Sequence, residues 1–98
     1  SASETTYGFF LNKSFPDFNS AEQFYTNYTQ AEAENYVTLT DTIKEFQVYT
    51  FRSWKSNYVK FFVKDIREYT EGGLTDYIEV DIRYFIQKDG TANLMNNQ

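Results

Sequence analysis

Glu79, Asp81 and Arg83 stand at every second position of the stretch Thr75–Gln87, with Asp76 close by. On an extended strand these side chains share one face at intervals of roughly 6.5–7 Å. Such spacing suits paired-carboxylate chemistry or a single hard cation. Hydrolytic acid pairs sit in clefts, however, and this stretch reads as a solvated sheet face on which Arg83 balances its neighbours. No catalytic residue is assigned to it.

A second cluster is Arg52, Trp54, Lys55, Tyr58 and Lys60, where aromatics interleave with bases. Such a mixture can stack on nucleobases, sugar rings or a peptide, and these five residues are candidate ligand or partner contacts. Nucleic acid is an unlikely partner, because the net charge is −5 and no RNP-like motif is present. The competing reading is a hairpin tip whose Trp54 packs on a helix. A third set, Phe9, Phe10, Phe15 and Phe18, lies in the aromatic stretch 7–18. These rings either cross an open end of the core or form a contact surface.

Composition removes several chemistries. The chain contains no His and no Cys, which excludes Ser-His-Asp and Cys-His catalysis, His-ligated or thiolate metal sites and disulfides. No cofactor or metal is expected. Ten Phe, nine Tyr and one Trp provide burial enough to fold, while four Gly and one Pro argue against low complexity. Apolar runs stop at three residues, as in Phe61-Phe62-Val63, so no transmembrane segment is expected. The chain opens at Ser1 without an apolar leader and reads as a processed or excised piece. Its six bases between 44 and 70 lie between acidic flanks. They read as guards of exposed strand positions rather than as a steering patch.

The elements that would position these residues follow from periodicity. Ninety-eight residues are read as one domain, 1–98, with 1–6 disordered. Pro16 makes the 7–18 stretch a short helical turn followed by extended chain. Ser20 with Gln23 forms a capping-box pattern, and Phe24, Tyr28, Ala31, Asn35 and Leu39 fall on one stripe. A helix is therefore expected over about 20–36. Strands are expected over about 43–54, 58–70, 75–87 and 91–95, with a bulge near Lys64-Asp65. Glu71-Gly-Gly-Leu74 and Lys88-Asp-Gly90 supply the tight turns.

In the third strand Ile78, Val80, Ile82, Tyr84 and Ile86 form an apolar row, which is expected to face inward. Val59, Phe61 and Val63, with Ile66, are expected to do the same. The predicted fold is α+β, an N-terminal helix packed on a strongly twisted antiparallel meander of three to four strands. Tyr84 is the one polar side chain on that inward face, so a filled core is expected. Tyr84 and Tyr28 could line a small pocket, but a buried Tyr with a satisfied hydroxyl is the commoner arrangement.

Helix residues Phe24, Tyr25, Tyr28 and Ala31 before long strands, with Tyr77 through Gly90 closing on Asp-Gly, make the chain resemble the NTF2-like superfamily. That group includes the VirB8-type and TcpC-type domains of bacterial conjugation machines. The order of elements also resembles the cystatin-like group, in which one helix lies in a curled meander. The inhibitory Gln-x-Val-x-Gly pattern of cystatins is absent, so protease inhibition is not implied. The first resemblance implies a non-catalytic protein–protein interaction or assembly domain, extracytoplasmic or at the cell surface, which self-associates or binds a protein partner. The alternatives are an NTF2-like small-ligand binder or enzyme using Tyr and Asp, and a secreted cystatin-like binding module.

Overall fold

The computed structural model describes residues 4–5, 7–31, 35–38, 42–55, 57–88 and 91–95, with backbone alone at Glu4, Thr5, Thr75 and Asp76. Its elements are β1 (Glu4–Thr5), β2 (Gly8–Ser14), α1 (Phe18–Asn27), β3 (Tyr36–Val37), β4 (Gln47–Arg52), β5 (Tyr58–Glu71) and β6 (Leu74–Gln87). All strands join one antiparallel sheet in the order β1-β3-β2-β4-β5-β6. This is the expected α+β class, with more strands than the sequence suggested. None of the described helix is long and apolar enough to cross a membrane.

The segment before the helix is a strand rather than a helical turn. Phe9, Phe10 and Leu11 sit opposite Phe51, Thr50 and Tyr49 of β4. Gly8 makes this possible, since its φ of +119° is open to glycine and an added Cβ would lie 2.2 Å from the Val37 carbonyl oxygen.

The helix starts earlier and ends sooner than expected. Asp17, in extended conformation, is the N-cap, and its Oδ1 accepts from the Ser20 backbone N–H at 2.8 Å. At the other end, chain 29–31 turns away to meet 92–94, with Ala31 N donating to the Ala92 carbonyl and Leu94 N to the Thr29 carbonyl. The expected last strand over 91–95 is reduced to this contact and one bridge, Gln30 to Asn93. Those hydrogen bonds compete with helix continuation. Residue 39 of the expected helical stripe lies outside the described residues, as do 89 and 90 of the second turn.

The β5–β6 hairpin closes through Gly72 and Gly73, both at positive φ, as the paired glycines require. The expected bulge is present as a register shift between Val63 and Asp65. On one face of the sheet, Ala21 and Tyr25 of α1 meet Val48 and Phe62, flanked by Phe15, Phe18, Phe24 and Phe46. Tyr25 and Phe18 lie 5.1 and 5.5 Å from the Phe62 ring. Truncating such a fully buried Phe to Ala costs about 3–5 kcal/mol.

The orientation of β6 reverses the expectation. Opposed residues of an antiparallel pair share a face. Val48 opposes Phe62, which opposes Arg83, so Arg83 lies on the helix side. Ile78, Val80, Ile82, Tyr84 and Ile86 therefore point away from the helix and are 40–60% exposed. Val59, Phe61 and Val63 share that far face, where Val59 and Phe61 are half-buried and Val63 is fully buried as expected, while Lys60 and Phe62 are the residues β5 turns toward the helix. The helix packs mainly on β4 and β5 and meets β6 through the Glu22–Arg83 pair, so it lies on the Arg83 side of β6 and covers none of the opposite row.

Candidate interaction surface

The far face is built from alternating residues of four strands. Phe9 lies 4.8 Å from Phe51, and Tyr49 stacks on Phe61 at 5.1 Å. Ile43 precedes β4 and joins Phe9, Phe51, Val59, Phe61, Val80 and Ile82 around an open, almost wholly apolar groove of about 450 Å³. From this groove the row Ile78–Ile86 runs along the edge strand. β-Branched residues at four of its five positions hold the strand extended, and alternation then gives them all one direction. Adjacent exposed apolar side chains of this number are a mark of contact surfaces.

The opposite face of β6 is polar. Arg67 of β5 reaches Glu79 Oε1 and Asp81 Oδ2, each at 3.1 Å, and also pairs with Asp65. These hydrogen bonds hold the Asp81 carboxyl below its ordinary pKa, with the Arg67 charge adding to the effect. The expected balance of Arg83 against its strand neighbours is not what forms. Arg83 donates instead to Glu22 of α1 at 2.8 Å and lies over the Phe62 ring. The carboxylates thus converge on a guanidinium rather than on an open site. Among the described residues no carboxylate group is arranged to hold a metal ion.

The basic-aromatic cluster is divided. Trp54 and Lys55 lie in the β4–β5 turn, where Trp54 is 75% exposed and carries Lys55 over its ring at 5.5 Å. Trp54 thus stands at a hairpin tip, exposed rather than packed on the helix. The Arg52 guanidinium covers the Tyr58 ring at 5.4 Å, both half-buried. Lys60 is fully buried, with its Nζ donating to the carbonyls of Tyr25 and Tyr28 at 2.7 and 3.0 Å. Burial pushes its ammonium below the ordinary value, while the two carbonyls and the Tyr25 ring at 4.5 Å accommodate the charge. Lys60 is therefore an anchor for the helix end and offers nothing to an outside ligand.

The four Phe candidates do not form one patch. Phe9 lies on the far face, whereas Phe10 approaches Tyr36 at 6.4 Å. Phe15 packs on Phe24 at 5.4 Å and Phe18 on Phe62. Tyr28 lines a hollow of about 420 Å³ with Phe15, Ser20, Gln23, Phe24 and Asn27, whereas Tyr84 is on the far face. The alternative of a pocket shared by these two tyrosines does not form, since they lie on opposite sides of the sheet.

The apolar row of β6 is therefore an exposed surface beside the groove. Its alternation was visible in the sequence, but its direction was not. No protein-family model matches the chain, and comparison with curated proteins and with solved structures finds no match.

Proposed function

We propose that this chain is a non-catalytic assembly domain that associates with itself through the β6 side of its sheet. The observation that carries the reading is the exposed row Ile78, Val80, Ile82, Tyr84 and Ile86 beside an apolar groove. Leaving such a row in water forgoes roughly 25 cal/mol per Å² that a partner's apolar surface would recover. A single helix on the meander β2-β4-β5-β6 supports the cystatin-like of the two resemblances, since only one helix lies among the described residues. The assembly role, and its place in an extracytoplasmic apparatus, go with the NTF2-like resemblance drawn from element order.

Sedimentation across a concentration series tests this reading. Mass should rise with concentration, and Val80→Asp, which sets a charge in the row, should hold the protein monomeric. A wild-type chain that stays monomeric throughout, or a V80D variant that associates equally well, removes the reading. The small-ligand alternative is favoured only if the groove binds an apolar probe while the chain remains monomeric.

A further inference from the structure

We propose that two copies join β6 to β6, edge to edge and antiparallel, about a two-fold axis through Ile82. This deepens the self-association reading above and rests on it. β6 ends the sheet order, so its side away from β5 meets no strand among the described residues. Its fourteen residues, Leu74–Gln87, include no Lys, Pro or Gly to discourage pairing. An edge of this length presents backbone donors and acceptors to an incoming strand.

Side-chain chemistry selects both the occupant and the register. An axis between two residues would set the apolar row of one copy beside Glu79, Asp81 and Arg83 of the other. An axis on a residue keeps row beside row. Centred on Val80, the pairing opposes Glu79 to Asp81 twice. Centred on Asp81, it gains Glu79 against Arg83 but sets Asp81 against itself. Centred on Arg83, it sets that guanidinium against itself.

Centred on Ile82, Asp81 of each copy faces Arg83 of the other, and no like charges meet within the strand. The apolar face then pairs Ile78 with Ile86, Val80 with Tyr84, and Ile82 with its own copy. Asp81 and Arg83 side chains are 53% and 43% exposed, so each can take this added partner while keeping Arg67 and Glu22. β6 is thus complementary in charge and in apolarity to its own reverse. A second copy of this chain therefore fits the edge.

The absence of cysteine allows a direct test. On the axis the two Cα atoms of position 82 would lie about 4.5–5.5 Å apart. That separation is within disulfide range, about 4.4–6.8 Å. The two positions 78 would lie roughly 27 Å apart, by strand rise over eight residues. Under mild oxidation, Ile82→Cys should convert to a disulfide dimer and Ile78→Cys alone should not. An equimolar mixture of I78C and I86C should cross-link into the mixed dimer, which tests the register without touching the axis residue.

Wild-type dimers in sedimentation, with I78C cross-linking as readily as I82C, would overturn the edge register and leave self-association standing. The edge register falls in the same way if neither I82C nor the mixture cross-links while the wild type is dimeric. A wild-type chain that is monomeric throughout overturns both readings. A monomer that binds a foreign strand-forming peptide at β6 overturns the homotypic pairing in favour of a different occupant.

Discussion

Lys60 shows how one side chain links the two layers. It leaves the sheet beneath the last turn of α1 and donates to the Tyr28 carbonyl and to the Tyr25 carbonyl, which also accepts the Tyr28 N–H. A positive charge at that end also complements the helix dipole. Lys60→Met keeps the aliphatic volume and loses both hydrogen bonds, so it should lower stability by about 2 kcal/mol. A shift of the urea midpoint to lower concentration, with an unchanged slope, is the expected result. Unchanged stability would mean that Lys60 is held there by packing alone. In the sequence Lys60 looked like one base in an aromatic-basic cluster. Nothing local distinguishes a surface lysine from one whose partner carbonyls lie more than thirty residues away.

At the scale of elements, α1 depends on its cap. The Ser20 backbone N–H, with the Ser20 side chain in support, holds the Asp17 carboxyl below its ordinary value of 3.8. A carboxyl lowered in the folded state contributes stability that is present above its unfolded value and lost as pH falls through the folded one. The melting temperature should therefore fall as pH drops from about 4 toward about 2. Asp17→Asn, which keeps a capping oxygen without the charge, should make that fall shallower; Asp81 contributes with the same sign and remains. Identical slopes for the two proteins would remove Asp17 from the acid response.

Ser20 was the more visible cap in the sequence because Gln23 completes its box. Asp17 is the cap that forms, with Phe18 as the first helical residue, packed on Phe62. By contrast, the two-glycine hairpin and the bulge at Lys64 were legible. Each is fixed by residues adjacent in the chain, through positive φ and through a change of phase.

For the whole molecule, the proposed dimer is a question of register, and charge exchange examines it. Asp81→Arg alone, or Arg83→Asp alone, sets like charges opposite each other twice across the axis. Each should weaken association several-fold in sedimentation. The double variant D81R/R83D restores opposite charges and should return the dimer toward wild-type affinity, although contacts to Arg67 and Glu22 are exchanged as well. A double variant as weak as the sum of the two single ones would place Asp81 and Arg83 outside any reciprocal contact.

The sequence alone determined the periods: which residues of β6 share a side, where glycines turn the chain, and that a helix accompanies an antiparallel sheet. Those features rest on interactions within a few residues, and local geometry suffices to set them. Only the tertiary structure decided which side of β6 meets the helix. Alternation divides a strand into two faces without saying which is inside. The choice falls to whichever strands the ten-residue helix can cover, here β4 and β5. Because the helix lies on the Arg83 side of β6, an apolar row that looked like core is left exposed on the other side.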